Sequence, residues 1–137
     1  MPPGGPAPKQ LLGTWKTRLT TADVAKADKE GMPPGNPTWL LVILNSGVGK
    51  SPRVLGLRPV GEQFAAPTIP FAVQGKMIHL QCLNAGAGLP IAGHDTFRWS
   101  VSGGSLRLRA VRLVCKKNPF DRNRAVILAS EPWRRGR

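Results

Sequence analysis

The stretch Phe97-Arg98-Trp99-Ser100-Val101-Ser102-Gly103-Gly104-Ser105-Leu106-Arg107-Leu108-Arg109-Ala110 decides the fold. Set as two strands around a two-residue Gly103-Gly104 turn, it puts Val101 opposite Leu106, Trp99 opposite Leu108 and Phe97 opposite Ala110. Ser100 then faces Arg107, and Arg98 faces Arg109. One face is wholly apolar and the other wholly polar, and a slip of one residue would mix them. Glycine suits the turn because it adopts positive φ without steric cost. Two arginines side by side are tolerable only in water, so their face lies outside. Phe97, Trp99 and Val101 therefore line an interior.

Upstream the pattern recurs. Phe71-Ala72-Val73-Gln74-Gly75-Lys76-Met77-Ile78-His79-Leu80 and Trp99-Ser100-Val101-Ser102-Gly103-Gly104-Ser105-Leu106-Arg107-Leu108 both read aromatic-x-Val-x-Gly-x-x-aliphatic-x-Leu. A second hairpin follows, with Phe71, Val73, Ile78, Leu80 and Cys82 inward and Met77, His79 and Gln81 outward. Residues 13–20 alternate, with Trp15, Thr17 and Leu19 on one face and Lys16 and Arg18 on the other, the period of a half-buried strand. Thr20 or Thr21 caps a short helix over 22–29, with Asp23 in its first turn, and Gly31 and the prolines at 33, 34 and 37 stop it. Strands are predicted at 38–44, apolar on both faces so that its inward side is ambiguous, and at 53–58. Residues 59–70 read as a loop or weak edge strand. Beyond Ala110 come a loop at 116–121 and a last strand over 124–130. Residues 1–10, rich in Pro and Gly, read as a disordered leader, 11–133 as the domain and 134–137 as a basic tail. Many short strands joined by Gly/Pro turns, with one short helix between the first two, predict an all-β fold. Its form is a single up-and-down antiparallel β-barrel of about eight strands, wide enough to hold one small ligand.

Gly13-Thr14-Trp15 resembles the Gly-x-Trp signature that opens lipocalin-like (calycin) barrels. In that pattern the Trp plugs one barrel end and a late Arg packs across it, and Arg124 stands in the matching place. Asp95-Thr96-Phe97-Arg98-Trp99-Ser100-Val101-Ser102-Gly103 is similar to the Gly-Thr-Tyr-Arg-Trp-Ser-x-x-Gly segment of small bacterial lipocalin-like proteins, with Asp95 and Phe97 replacing Gly and Tyr. The resemblance covers most of 11–133 and leaves 45–70 unmatched. It implies that Trp15 and Arg124 close the barrel and that the interior binds small hydrophobic molecules. Some barrels of this shape serve instead as cyclases or isomerases. The chain has no tyrosine, so no mechanism rests on a phenolic hydroxyl.

The 137 residues carry a net charge of +13, unevenly spread, with eleven basic and three acidic residues from Asp95 onward. Such a surface attracts polyanions. Specific nucleic-acid binding, through the Arg98/Arg107/Arg109 face, is nonetheless not expected, because the aromatics that would stack on bases point inward. The N-terminus lacks the apolar core of a secretory signal, and no run approaches the roughly 20 apolar residues of a membrane span. A cytoplasmic location is the expectation. Cys82 and Cys115 lack metal-ligand spacing. One disulfide between them is open but unmotivated, and neither a metal nor a cofactor is expected.

Gly47-Val48-Gly49-Lys50-Ser51 has the look of a phosphate loop. Leu44 stands where the first glycine should, however, and Pro52 blocks the helix, so it reads as a turn. His94 and Asp95 are neighbours on extended chain, point to opposite faces and read as loop polarity rather than an acid–base pair. His79 reads as a solvated strand residue, Cys82 as a small interior hydrophobe, and Glu62 as a carboxyl without a located partner. No catalytic residue is assigned. The ligand-facing wall is expected from Trp39, Leu41, Phe71, Leu80, Cys82, Phe97 and Trp99. The sequence therefore predicts a container for a small, mostly apolar molecule. A cofactor-free cyclase or isomerase working in the same cavity is the first alternative, and a nucleic-acid-binding adaptor acting through the basic outer face the second.

Overall fold

In the computed structural model, which describes residues 2–26, 38–46, 53–60, 68–83 and 90–136 (side chains of 90 and 91 excepted), the alternating segments become eight strands. They are β1 (Gly13–Arg18), β2 (Thr38–Leu44), β3 (Val54–Pro59), β4 (Ile69–Gln74), β5 (Met77–Leu83), β6 (Pro90–Ser102), β7 (Ser105–Arg112) and β8 (Trp133–Arg135). Each pairs antiparallel with the next, and β8 returns to β1, giving an up-and-down closed barrel. A short helix, α1 (Thr21–Lys26), lies between β1 and β2; positions 27–29 of the predicted helix fall outside the described residues.

The β6–β7 register is the one read from the sequence: Val101 opposite Leu106, Trp99 opposite Leu108, Phe97 opposite Ala110 and Arg98 opposite Arg109. Gly103 and Gly104 turn the chain at φ 57° and 78°, a conformation that a side chain would strain. β4 and β5 pair Phe71 with Leu80 and Val73 with Ile78. On β2, Trp39, Leu41 and Ile43 are buried while Thr38, Leu40 and Val42 are only partly covered, which fixes the inward face of that strand. The inward side chains form one contiguous core.

The two barrel ends are closed differently. At the end holding the Gly75-Lys76 and Gly103-Gly104 turns, the N-terminal chain serves as a plug. Only Val54/Pro70 and Leu55/Ile69 pair β3 with β4, so β4 overshoots and its edge at Val73 is left open. Gly5 takes that edge with two backbone hydrogen bonds of 2.9 Å. The Asn45 side chain then clasps Ala7 by both its N–H and its carbonyl, at 2.8 and 2.9 Å. Leu11, at the end of a 3-10 turn (Lys9–Leu11), is fully buried. The segment expected to be a disordered leader is thus paired with the barrel from Gly5 onward.

The opposite end is crossed by a helix, α2 (Pro119–Ser130), where the sequence predicted a strand over 124–130. Val126, Ile127 and Leu128 favour a strand, but Asn118 caps Phe120 N–H at 2.8 Å and Pro119 fills the first helical turn. The eighth strand lies instead at 133–135, overlapping what was read as a tail. The first turn of α2 is tied to the end of β5, where Asp121 accepts from Leu83 N–H at 3.0 Å and Asn118 donates to its carbonyl at 3.3 Å. Past its last turn, the Pro132 carbonyl accepts from Thr17 on β1 at 2.9 Å. β5 and β1 lie on opposite sides of an eight-strand ring, so α2, about 18 Å long, bridges the opening. Ile127 and Leu128 are buried in the common core.

A disulfide joins Cys82 on β5 to Cys115, 33 positions on and just past β7, with Cα atoms 5.2 Å apart. The pairing arises because β5, β6 and β7 are neighbours in space. Replacing both cysteines by serine is expected to lower stability by about 2–4 kcal/mol. Urea unfolding of the variant against the oxidised parent measures this, and an unchanged midpoint would contradict it.

Candidate functional site

The side chains expected to form the ligand wall are buried. Trp39, Leu41, Phe71, Leu80, Phe97 and Trp99 all belong to the core, and Leu41, Phe71 and Phe97 have no exposed surface. Trp99 reaches the rim of the plugged end, donating to the Gly75 carbonyl at 3.0 Å beneath the Lys76 ammonium, 4.2 Å from the ring centre. Cys82, expected as a plain interior hydrophobe, is half of the disulfide.

Trp15 is fully buried and donates to the Leu11 carbonyl at 3.0 Å. The guanidinium stacked on its ring belongs to Arg135, 3.9 Å from the ring centre, and not to Arg124. β8 sets Arg135 directly opposite Trp15, and Arg135 also donates to the carbonyls of Leu12 and Gln10. Gly13 belongs to the same arrangement: at φ 116° it runs where a Cβ would come 3.1 Å from Arg135. The late arginine expected at position 124 is therefore Arg135, because the last strand lies nearer the C-terminus than the sequence suggested.

Arg124 sits at the other end, with no exposed surface. From α2 it donates to the backbone carbonyls of Gln81 at 2.9 Å and Leu80 at 3.4 Å, where a bulge at Gln81/Cys82 interrupts the β5–β6 ladder. It pairs with Asp121 at 3.1 Å and Asp95 at 3.5 Å. Asp95 in turn accepts from the N–H groups of Val114 and Cys115 at 2.6 and 2.8 Å. Burial pushes the Asp121 carboxyl up in pKa, outweighing the pull of Arg124 and of Leu83 N–H. Burial also pulls Arg124 down, against the attraction of both carboxylates. A raised acid contributes stability that is present at low pH and is lost as pH rises through its folded value. The contacts of Asp95, Asp121 and Arg124 fasten β5, β6 and the segment after β7 to α2.

Beside it lies a cleft of about 190 Å³ lined by Leu83, Ala92, Val114, Asp121 and the disulfide, with Lys116 and Lys117 at its edge. The sulfurs and an Asp121 oxygen fall within 4.8 Å of one another. Bonded to each other, the sulfurs present no thiolate to a metal. A second cleft, about 510 Å³, opens on the outside between β1 and β8 and is lined by Lys16, Arg18, Glu131 and Arg134 among others.

His94 and Asp95 do point to opposite faces, but from within β6 rather than a loop. His94 meets His79 edge-on at 4.8 Å between ring centres. His79, expected in solvent, is only 7% exposed, held between Thr96 Oγ1 at 2.8 Å and Gln74 Oε1 at 3.3 Å. Burial first, and His94 second, lower its pKa below the ordinary 6.5. Glu62 and the Gly47–Ser51 turn lie outside the described residues. Sequence reasoning missed Asn118, Asp121 and Arg135. The Asn118-Pro119-x-Asp121 helix start was a usable signal for the first two, while Arg135 carried none. No protein-family model, curated protein or solved structure matches the chain.

Two predictions follow from these contacts. Arg124→Met leaves two buried carboxylates unpaired and is expected to cost about 3–5 kcal/mol. Arg135→Met loses a ring contact of about 0.5–2 kcal/mol and its two hydrogen bonds. Chemical denaturation should rank Arg124 as the costlier loss, and the reverse order would refute the assignment. For His79, the unfolded chain binds protons more readily than the folded one, so stability should fall as pH drops below about 6.5. Thermal unfolding at pH 7.5 and 5 should show a smaller drop in His79→Gln than in the parent.

Proposed function

We propose that the barrel binds a small, mostly apolar molecule at the end crossed by α2. The observation that carries this reading is the asymmetry of the closures around an apolar lining. One end is shut by chain paired with the strands through backbone hydrogen bonds. The other is covered by a helix whose ties to the barrel are side-chain contacts from Asn118, Asp121 and Arg124. A ligand takes the place that Ile127 and Leu128 now occupy and exchanges their apolar contacts for its own. The cyclase or isomerase alternative is less well supported, since the ionised groups at this end, Asp95, Asp121 and Arg124, are paired with one another.

The disulfide favours an oxidising compartment over the cytoplasmic location expected from the sequence. No helix among the described residues is long and apolar enough to cross a membrane.

Titration with an environment-sensitive apolar dye tests the proposal. The folded protein should take up the dye and release it to apolar competitors. Leu128→Ala should cost about 2–5 kcal/mol of stability and increase dye occupancy, because the truncated side chain leaves space at the proposed site. Absence of dye uptake by both folded proteins would overturn the reading.

A further inference from the structure

We propose that the outer face of β6 and β7, continued by residues 113–117, docks onto an anionic lipid bilayer. Arg98 and Arg109 are direct cross-strand neighbours, and Arg107 lies two positions along the same face. The ladder then shifts between Thr96 and Phe97, so that Val111 is an extra residue on β7 and Arg112 pairs with Thr96. Arg109 and Arg112, three apart, would sit on opposite faces of a regular strand. The bulge returns Arg112 to the outer face with Arg98 and Arg109. All four arginines are exposed, as are Lys116 and Lys117. Glu131 lies near Arg107, and the two carboxyls beside residues 113–117, Asp95 and Asp121, are buried rather than displayed on this face.

The second feature is apolar. Five large aliphatic side chains are exposed among the described residues, and three of them, Val111 at 53%, Leu113 at 38% and Val114 at 45%, fall within four positions. In sequence Val111 and Leu113 flank Arg112, and Val114 precedes Lys116 and Lys117 by two to three positions. The chain that carries them is pinned, since Asp95 holds the N–H groups of Val114 and Cys115. Cations with short aliphatics between them match a surface that is anionic at the headgroups and apolar just beneath. A nucleic acid would reward the cations alone, and Trp15, Trp39, Trp99, Trp133, Phe71 and Phe97 are all buried away from any base.

Vesicle flotation with the full chain is the test, using phosphatidylcholine alone and phosphatidylcholine mixed with phosphatidylglycerol. The protein should bind the mixed vesicles, ignore the neutral ones and dissociate as salt is raised. Arg109→Glu/Arg112→Glu should weaken binding by about tenfold or more, at roughly 1 kcal/mol per basic residue near the surface. Val111→Ser/Leu113→Ser should weaken it severalfold while leaving the salt dependence intact. These side chains are exposed, so an unchanged near-ultraviolet spectrum of each variant confirms its fold. Failure to bind the mixed vesicles at low salt would overturn the proposal. So would charge-reversed protein that binds undiminished, or a serine variant that matches the parent while duplex DNA competes as strongly as lipid.

Discussion

The buried guanidinium of Arg124 is the contact on which one whole end of this barrel depends. Where β5 and β6 lose register, the carbonyls of Leu80 and Gln81 need a donor, and Arg124 supplies it from a helix rather than from a neighbouring strand. Its charge is balanced by Asp95 and Asp121, and those carboxylates fix two further pieces of backbone, Val114-Cys115 and Leu83. One side chain thus ties together β5, β6, the segment after β7 and α2. Buried ion pairs of this kind add little over a well-packed apolar replacement, yet leave a large deficit when one partner is lost. Their effect here is to specify where α2 lies.

That placement gives the molecule its polarity. The plug end is built from chain that joins the sheet and from the Trp15–Arg135 stack, both continuous with the strands. The α2 end is built from side chains laid over the strands, with the disulfide and a small cleft beside them. The plug end thus rests on backbone pairing, and the α2 end on side-chain contacts. The outer surface is organised by a simpler constraint. Arg98 opposite Arg109, and Lys16 opposite Arg134, are like-charge pairs on neighbouring strands, which only a highly polarisable medium or an anionic partner makes tolerable.

Much of this was legible in the residues. The Phe97–Ala110 hairpin could be registered to the residue, because only one pairing separates apolar from charged faces, and its echo at 71–80 followed for the same reason. Trp15 was identifiable from its setting after Gly13. Less legible was the candidate site. Alternation gave the buried face of the Phe71, Leu80, Phe97 and Trp99 strands and left that of 38–44 open, and whether a buried side chain meets a ligand or its neighbours depends on volumes summed across the barrel. His79 looked solvated because alternation assigns a face and not what covers it.

By itself the sequence determined the barrel: period-two alternation, glycine turns and segregated charge are local properties, each readable within about ten residues. The tertiary structure alone decided how the barrel is finished. Val126-Ile127-Leu128 is strand-like in isolation; the Asn118-Pro119 start makes it helix, and that helix is set across the barrel where Asn118 and Asp121 find partners at Leu83, some 35 to 38 positions away. Cys82 meets Cys115, and Arg135 rather than Arg124 meets Trp15, through the same ring closure. Contacts of that kind have no local pattern, since their free energy exists only once the strands between them have assembled.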